Sequence, residues 1–597
     1  MVKDEYILGI GGILGHDANV ALFKGKELIA SSQEERFTRI KHDSNFPINS
    51  IEDCLKTDNI SKSEISVIVF SEKPLQNHLF NVSNKPNNRL SQLLGKSLPS
   101  NTFSGTPYLE SAREHFPKAK IKYAWHHLAH AAGGYHSSKF TSTAFLCVDG
   151  KGEDINASIG IANEREIKIL YEMPFQNGLG MLYTVITHFL GFPAFGSEYK
   201  VMGLGPYGNP IYTENLKRLF TSSEAGEVQL KRQIGFHPNE INTHLNWIEE
   251  TLQINRRKDG EDLGEEHVDL AASLQVIFEE EILKMALFAK EKTGEENLLF
   301  CGGCAQNCVS AGRLRDSGIF KEVFNSPIGG DMGSGLGAAL LYLRSINKLK
   351  ADKLADKGFY LGSQPGELKL ISSQSHRVNY SGSLHRFVAE LLAKGKIVGW
   401  VRNGMELGAR ALGARSILAN PLDPEMQTKM NLKIKFRESF RPFAPAILEE
   451  EQNNWFDCEY PSHYMQYTAF LKPELRYSVP NNLKSFKDRL NYPRCKVPSI
   501  VHVDFSARLQ TVSKNVHPDF YELISKFNEI TGIPILINTS FNVNGQPIVR
   551  TAHEAWECFE NTEIDFLVIN DDVYSNPFIK TKTEKLQWLE QFASYSK

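Results

Sequence analysis

Two histidines one helical turn apart are the first residues whose spacing suggests a chemical role. His126 and His130 lie in WHHLAHAAGGY, a stretch that is compatible with a helix. Residues four apart on an α-helix share a face, so both imidazoles point the same way while His127 points elsewhere. Two imidazoles at this spacing commonly bind a transition metal. A packed or surface pair fits the spacing equally well, so the pair alone does not decide.

Two acidic residues favour the metal interpretation. Asp149 ends the apolar run TAFLCV, where a carboxylate is costly to bury unless it is paired or bound to a cation. Asp331 lies in the glycine-rich turn GGDMGSG, which runs directly into an apolar helical stretch. Imidazole and carboxylate together suit a divalent ion such as Fe(II), Mn(II) or Zn(II), which could bind nucleotide phosphates and polarise a carbonyl oxygen.

The cysteines suggest a second metal site that their spacing does not support. Cys301, Cys304 and Cys308 form C-x-x-C-x-x-x-C, but no second C-x-x-C follows to complete a zinc set. The flanking residues are typical of a tight turn after a strand. We therefore predict small, buried and reduced thiols.

A second group of chemistry-bearing residues lies in the last third of the chain. Its arginines and lysines are interleaved with small and apolar residues, which favours an anion pocket over the alternative of a solvated surface. The arginine side chain is a planar fork that matches phosphate and carboxylate oxygens. The group consists of Arg410, Arg415, Lys433, Lys435, Arg437, Arg441 and Arg508, followed by Asn538, Ser540 and Asn542.

The elements that must position these residues follow two similar patterns. ILGIGG, GHDAN and VALFKGKELIASS predict a strand, a turn and a hairpin; TAFLCV, a polar turn at residues 149–152 and ASIGIANEREIKILYEM repeat the plan. Actin, sugar-kinase and chaperone-ATPase folds are built this way, although two unrelated hairpins are the alternative. A long helix is predicted at residues 266–292. Glycine-rich loops at 197–210 and in GGDMGSG allow the backbone to approach a ligand.

Length and charge indicate the number of domains and exclude several classes of protein. The 597 residues suggest two to four domains, and the charged segment 347–366, which ends in Gly and Pro, predicts a linker or surface hairpin. Three strands are expected beyond it, in KIVGWV, SIVHVDF and IPILINTS. The net charge of −3 argues against a general nucleic-acid binder. Charges at residues 3–5 and the lack of an 18-residue apolar run predict neither export nor membrane insertion, hence a cytoplasmic protein.

Ten stretches, in order and spread over nearly the whole chain, resemble the NodU/CmcH-type carbamoyltransferases of antibiotic, nodulation-factor and toxin biosynthesis. They are GHDAN, QEERFTRIKHDSNFP, HHLAH, VDGKGE, GLGMLYTVITHFLGF, KVMGLGPYG, GGDMGSGLGAA, MELGARALGARSIL, RESFRPFAPAI and INTSFNVNGQPIV. The resemblance implies a mixed α/β chain with two units. Residues 1–350 would form an actin-like ATPase domain similar to the tRNA threonylcarbamoyl-transferase, 351–366 a linker, and 367–597 a YrdC-like α/β domain.

The family's activity implies an ATP-dependent O-carbamoyltransferase. The second unit would take carbamoyl phosphate and ATP, with Mg²⁺, and form carbamoyl adenylate. The first unit would pass the carbamoyl group to a hydroxyl of a small-molecule acceptor, such as a natural product or sugar. Neither nucleic acid nor membrane is expected as a partner, and a homodimer stays open.

The resemblance also implies the site residues, position by position. The metal, expected to be Fe(II), would be held by His126, His130, Asp149 and Asp331. Carbamoyl phosphate would meet Arg410, Arg441, Arg508, Asn538 and Ser540, with His16 and Asp17 near the transfer site. Nucleotide contacts would come from Lys200, Gly302, Gly303, Asn307, Gly330 and Asp331. CGGCAQNC stands where a more apolar loop of the GGVALN type is expected, which changes the surroundings of the base.

Three other interpretations stay open. An actin-fold kinase is disfavoured because a kinase needs no separate arginine-rich pocket. A non-enzymatic nucleotide-dependent regulator would bind ATP without any dependence on carbamoyl phosphate. A tRNA-modifying role is disfavoured by the net acidity. The acceptor is left open, and residues 77–106 and 209–255 are expected to shape its pocket.

Overall fold

The computed structural model describes residues 5–12, 15–73, 106–174, 177–235, 237–346, 354, 358–480, 483, 485–578 and 580–593. The strands there are β1 Tyr6–Gly11, β2 Asn19–Lys24, β3 Glu27–Gln33, β4 Ile65–Phe70, β5 Lys120–Tyr123, β6 Ser142–Gly152, β7 Ile155–Asn163, β8 Ile167–Pro174, β9 Phe220–Ser222, β10 Val228–Leu230, β11 Asn297–Cys301, β12 Glu322–Asn325, β13 Arg377–Val378, β14 Val398–Val401, β15 Arg415–Ala419, β16 Ala444–Leu448, β17 Phe456–Asp457, β18 Thr468–Leu471, β19 Ser506–Arg508, β20 Gln510–Val512, β21 Ile535–Ser540, β22 Phe566–Ile569 and β23 Asp572–Ser575.

The α-helices of the same residues are α1 Glu35–Thr38, α2 Ile48–Thr57, α3 Thr106–His115, α4 His126–Ser137, α5 Leu179–Phe189, α6 Glu198–Leu204, α7 Thr213–Lys217, α8 Pro238–Asn242, α9 Leu245–Leu252, α10 Glu265–Thr293, α11 Cys308–Asp316, α12 Ser334–Ser345, α13 Ile371–Gln374, α14 Leu384–Ala393, α15 Met426–Met430, α16 Gln452–Trp455, α17 Phe486–Asn491, α18 Pro518–Thr531, α19 Ala552–Glu560 and α20 Lys582–Ala593. The long helix predicted at 266–292 is confirmed as α10.

Two five-stranded sheets of the same topology organise the first half of the chain. The first has the order β3-β2-β1-β4-β5, and the second has the order β8-β7-β6-β11-β12. Strands β1, β2 and β3 pair antiparallel, and β4 and β5 continue the sheet in parallel on the other side of β1. The second sheet repeats this arrangement, with β6, β7 and β8 antiparallel and β11 and β12 parallel on the other side of β6. The predicted internal duplication is therefore confirmed. This duplicated sheet is the frame of the actin-like ATPase fold.

The polar turn predicted at residues 149–152 is wrong, because this segment is a bulge within a strand. β6 continues to Gly152, and its register with β7 shifts between Val148 and Gly152. β6 pairs with β7 on both sides of the irregular segment, so its backbone stays extended. A bulge of this kind changes the direction of a side chain near the end of a strand. Asp149 is the first residue of the irregular segment.

Helix α12 brings the second glycine-rich turn to the first sheet. It packs against β1 and α4. The approach is so close that a Cβ on Gly9 would lie 2.0 Å from the carbonyl oxygen of Gly335. Asp331 lies in the 3-10 turn Asp331–Gly333 directly before α12. The packing of α12 therefore holds Asp331 beside the carboxyl end of β1.

An eight-stranded mixed sheet organises the second half, in the order β13-β23-β22-β14-β15-β21-β16-β20. Strands β14 and β21 confirm the predictions at KIVGWV and IPILINTS. The strand predicted in SIVHVDF is wrong: residues 498–500 form a 3-10 turn, and β19 starts only at Ser506. The reason is local, since the Asp504 side chain accepts hydrogen bonds from the backbone nitrogen and hydroxyl of Ser506 and so replaces ladder bonds.

The two halves pack directly against each other. The Tyr467 hydroxyl donates to the carbonyl of Val323 over 2.7 Å and accepts from the backbone nitrogen of Asn325 over 2.9 Å. Within the segment expected to be a linker, Phe359 is fully buried and its carbonyl accepts from the backbone nitrogen of Leu407 over 2.7 Å. In the ranges that the structure describes, no helix combines the length and the apolar character needed to cross a membrane.

Candidate active site

His126 and His130 direct their Nε2 atoms at one point, 2.9 Å from each other. They lie one turn apart at the start of α4, and both rings are buried. The His130 Nε2 atom is 3.3 Å from Oδ2 of Asp149 and 3.3 Å from Oδ1 of Asp331. The same distances from His126 Nε2 are 3.6 and 3.5 Å. Four candidate ligand atoms therefore lie within 4.8 Å of one another.

The chemistry of this cluster fits a divalent cation. Two imidazole nitrogens and two carboxylate oxygens form a donor set that first-row divalent metals accept. Among the described residues, the buried Oδ2 of Asp149 has no hydrogen-bond partner. A cation between the four atoms would satisfy that oxygen and offset the cost of burying two carboxylates together. His127 is turned away, with its Nδ1 2.9 Å from the hydroxyl of Ser158.

The charges of the cluster depend strongly on each other. Burial and His126 both disfavour a charged His130, but the nearby carboxylates of Asp149 and Asp331 raise the pKa of His130 to about 9. Burial would raise the pKa of Asp331, yet His16 and His126 hold it well below its usual range. The carboxylates therefore stay ionised, as metal ligands must be.

A chain of ion pairs leads from this cluster to His42. The Nε2 atom of His16 lies 3.4 Å from Oδ2 of Asp331, and its Nδ1 atom lies 3.0 Å from Oδ2 of Asp17. The other oxygen of Asp17 is 2.9 Å from Nδ1 of His42. Burial would raise the pKa of Asp17, but His42 and His16 hold it well below its usual range. Asp17 is therefore an ionised carboxylate between two imidazoles.

One cavity of about 430 Å³ joins the cluster to the basic residues of the second half. This volume is within the range of small-molecule binding sites. From the first half, His16, Asp17, Asp149 and Asp331 line it. The second half contributes Arg410, Lys435, Arg437, Arg441, Ser540 and Asn542. Both groups of chemistry-bearing residues therefore face the same space.

The basic wall of the cavity holds cations that repel one another. Burial and the neighbouring Arg508 lower the pKa of Arg410 to about 9. Burial and Arg441 hold the pKa of Arg437 well below its usual value. Glu438 offsets part of this charge, with oxygens 3.6 Å from Nη1 of Arg441 and 3.1 Å from Nζ of Lys200. A bound anion would stabilise cations arranged in this way.

Two basic residues of this region support the backbone. Arg415 is fully buried and donates to the carbonyls of Ser363, Arg402, Asn403, Ala414 and Arg550. The prediction that Arg415 belongs to the anion pocket is therefore wrong. Lys435 does line the cavity, but its Nζ lies within 3.3 Å of four oxygens of Ser540 and Asn542. Lys435 thus holds the loop that carries Ser540.

The other predicted site residues divide into two groups. Gly303, Asn307 and Gly330 line the cavity with Ser540, and Asn307 also caps α11 by accepting from the backbone nitrogen of Ser310 over 3.0 Å. The residues Lys200, Gly302, Arg508 and Asn538 are not on the wall. Asn538 donates to the carbonyl of Ala411 and to Oε1 of Gln510. The substrate contacts expected of both groups stay predictions.

Several wall residues lie outside the predicted set, among them Lys41, His42 and Tyr199. Lys41 and His42 belong to the matched stretch QEERFTRIKHDSNFP, and Tyr199 lies in the glycine-rich loop at 197–210, directly before the matched stretch KVMGLGPYG, so these segments were the available signal. The Tyr199 ring centroid lies 4.6 Å from the Arg441 guanidinium carbon and 5.5 Å from Lys41 Nζ. Burial opposes ionisation, but Arg441 and Lys41 lower the pKa of Tyr199 to about 7. None of the described residues of 209–255 lines this cavity, and residues 77–105 lie outside the described ranges.

The burial predicted for the thiols of C-x-x-C-x-x-x-C is confirmed at two of its three cysteines. All eight are free, and Cys301 and Cys308 are buried while Cys304 is half-buried on the cavity wall. Burial raises the pKa of the Cys304 thiol well above its usual value. No cysteine joins a metal-ligand cluster within the described residues.

Fold and cavity together define a class of protein: an actin-like half and a second α/β half that line one cavity, with buried cations on its wall. Residues 6–340 match the family described as Carbamoyltransferase N-terminus, and residues 389–576 match Carbamoyltransferase C-terminus. The chain belongs to the carbamoyltransferase family and is a transferase enzyme.

The relatives extend over most of the chain. An uncharacterized protein of Synechocystis sp. is 37% identical over 98% of this chain and 99% of its own length. Nodulation protein NolNO of Sinorhizobium fredii is 33% identical over 95% of this chain and 80% of its own. Among solved structures, the (R)-2-hydroxyglutaryl-CoA dehydratase component A of Acidaminococcus fermentans aligns with 56% of this chain over 97% of its own length, at 15% identity and a TM-score of 0.30. HypF of T. kodakarensis covers 59% of this chain and 49% of its own, at 14% identity and a TM-score of 0.29.

Proposed function

We propose that this enzyme is an ATP-dependent O-carbamoyltransferase that acts on a hydroxyl of a small-molecule acceptor, such as a natural product or sugar. The observation that supports this most directly is the single cavity with two unlike walls. One wall carries the carboxylates of the metal cluster, Asp149 and Asp331, and the other carries buried cations. A carbamoyl nucleotide is an anion with a carbonyl group to be activated, so it matches both walls.

The first step is proposed to take place against the basic wall, in the unit expected at residues 367–597. Water cleaves carbamoyl phosphate to carbamate and phosphate. A carbamate oxygen then attacks the α-phosphorus of ATP, bound with Mg²⁺, and pyrophosphate leaves. Arg410 and Arg441 bind the phosphate oxygens, and Ser540 orients the carbamoyl group. Arg508 and Asn538 act beside them. The product, carbamoyl adenylate, carries a good leaving group.

The second step is proposed to take place at the cluster of the unit expected at residues 1–350. The acceptor hydroxyl attacks the carbamoyl carbon, the bond to AMP breaks, and AMP leaves. The departing AMP phosphate takes up the hydroxyl proton, and His16 and Asp17 orient the hydroxyl at the transfer site. A divalent metal, Fe(II) by family resemblance, held by His126, His130, Asp149 and Asp331, would stabilise negative charge on the phosphate or carbonyl oxygen.

Transfer within one cavity gives the intermediate a short path. Carbamoyl adenylate is open to hydrolysis, so an enclosed route between the basic wall and the cluster limits its loss to water. Gly303 and Gly330 also line the cavity, and their lack of a side chain leaves room for the nucleotide. The segment 351–366 is proposed to connect the two units.

The test is an ATP assay on the purified protein, with and without carbamoyl phosphate, that follows pyrophosphate, AMP and ADP. We expect pyrophosphate only when carbamoyl phosphate is present, and inorganic phosphate in its place serves as the control. Formation of ADP without any need for carbamoyl phosphate would overturn the proposal in favour of a kinase or ATPase.

A further inference from the structure

Glu72 is a fully buried carboxylate that the proposed reaction does not use. It follows β4 by two residues and is 0% exposed. Its Oε1 atom lies 3.3 Å from Nδ1 of His126, the ring nitrogen that does not face the metal cluster. The hydroxyl of Ser71 donates to the same oxygen over 3.0 Å. Glu72 therefore stands behind a candidate metal ligand, on the side away from the cavity.

The surroundings give Glu72 little other stabilisation. Its second oxygen, Oε2, is buried without a hydrogen-bond partner in the described part of the chain. The nearby Glu153, also buried, instead accepts from the backbone nitrogen of Lys73 over 2.7 Å. An uncompensated buried carboxylate is costly. The imidazole of His126, 3.3 Å away, offsets part of this cost.

We infer that Glu72 is a positioning residue of the metal site, whose carboxylate binds the Nδ1 hydrogen of His126 and so directs the Nε2 lone pair at the ion. The inference rests on the metal site of the proposed function. A neutral imidazole carries its proton on one nitrogen, and the partner of that nitrogen selects the tautomer. A carboxylate in this place also orients the ring and makes the ligating nitrogen more basic.

The two histidines of the cluster differ in this respect. Neither Nδ1 atom makes a hydrogen bond of ordinary geometry among the described residues, but that of His126 faces the Glu72 carboxylate at 3.3 Å, whereas no ion pair of His130 Nδ1 is found there. His126 is thus the ligand whose orientation is set from outside the cluster. Loss of Glu72 should therefore act through His126 and leave the other three ligands in place.

The experiment titrates the metal-free, full-length protein with Co(II) and follows its visible absorption, with no nucleotide or acceptor present. Glu72→Ala should weaken Co(II) binding by roughly 10- to 100-fold, the usual effect of removing such a partner. Glu72→Gln should have a smaller effect, because its amide oxygen still accepts a hydrogen bond but carries no charge. Glu153→Gln is the matched control, since it removes a carboxylate of similar burial whose hydrogen bond is to the backbone nitrogen of Lys73, and it should change the Co(II) affinity less than Glu72→Gln does.

A double-mutant cycle separates positioning from a general effect on folding. In a His126→Ala background, Glu72→Gln should no longer change the Co(II) affinity, because the group through which it acts is gone. Glu72→Asp, which keeps the charge but withdraws it by one methylene, should fall between wild type and Glu72→Ala. If the other Glu72 variants do not fold, the Co(II) affinity of Glu72→Asp is the measurement that tests the positioning role.

The outcomes distinguish this inference from the proposed function. Wild-type affinity in the Glu72 variants, or an unchanged Glu72→Gln effect in the His126→Ala background, would overturn the positioning role and leave the metal site intact. If the wild-type protein binds no Co(II), the metal site itself fails, and the inference fails with it.

Discussion

The side-chain amide of Asn19 donates to the backbone carbonyl of Asp331 over 2.8 Å. The same nitrogen donates to the carbonyl of Asp17 over 2.8 Å, and the Asn19 Oδ1 atom accepts from the backbone nitrogen of Gly335 over 3.0 Å. Asn19 is 1% exposed. A single buried side chain thus joins the turn of His16 and Asp17 to the turn that carries a candidate metal ligand.

This link predicts a defect for Asn19→Asp. The new carboxylate would face two carbonyl oxygens with no hydrogen to donate, so we expect a loss of about 1–3 kcal/mol in the free energy of unfolding. Urea unfolding measures the loss, and the Co(II) titration should show weaker binding as the Asp331 turn moves. Asn163→Asp, at an exposed turn where the side-chain oxygen accepts from backbone nitrogens, is the control and should change neither quantity. A fully stable Asn19→Asp protein would contradict the bridging role.

The two walls of the cavity predict separable half-reactions. Arg508→Ala should abolish formation of the carbamoyl nucleotide, because Arg508 neighbours Arg410 on the basic side. His130→Ala should spare that step more than it spares transfer, because His130 lies in the metal cluster. Pyrophosphate release reports the first step, and carbamoylated product reports the second. An equal loss of both steps in both variants would argue against two sites.

The Tyr199 phenol predicts a pH effect on anion binding. Its pKa of about 7 leaves it neutral at pH 6 and charged at pH 8.5. The phenolate would neutralise Arg441 and Lys41, so the affinity for carbamoyl phosphate should fall as the pH rises through 7. In Tyr199→Phe this fall should be roughly tenfold smaller, the equivalent of about one pKa unit of linkage.

Calorimetry at the two pH values measures both affinities, and the ionisation of the ligand itself cancels in the comparison with wild type. Tyr183→Phe is the matched control, since Tyr183 also lines the cavity but burial raises its pKa well above the usual value. Identical pH profiles for Tyr199→Phe and wild type would exclude the phenolate effect.

The buried position of Arg415 predicts a stability defect. Lysine has three donors and no planar fork, so Arg415→Lys would leave carbonyls of the five-bond set unpaired. We expect a loss of about 3 kcal/mol or more in the free energy of unfolding. Arg441→Lys, on the cavity wall, should instead keep its stability and bind carbamoyl phosphate more weakly. Urea unfolding of both variants checks the contrast, which would be lost if Arg415 belonged to the pocket.

Local geometry explains which features are predictable from the sequence. The shared direction of His126 and His130 follows from the helical repeat, and α10 and strands β14 and β21 follow from apolar patterns. The error at SIVHVDF has an equally local cause, because the Asp504 side chain takes hydrogen bonds that a strand would need. The sequence pattern does not reveal this competition, because the apolar residues before Asp504 predict a strand.

Long-range packing decides the rest of the site. Residue types and spacing along the chain by themselves determine the duplicated strand pattern, the histidine pair and the concentration of arginines in the second half. They do not determine which distant groups meet, because that depends on strand order and on how closely α12 approaches β1. Only the tertiary structure places Glu72 next to His126 and Tyr199 next to Arg441. It also buries the side chain of Arg415 in the core. The physical reason is that a side chain's role follows from its nearest partners, and these lie far away in the sequence.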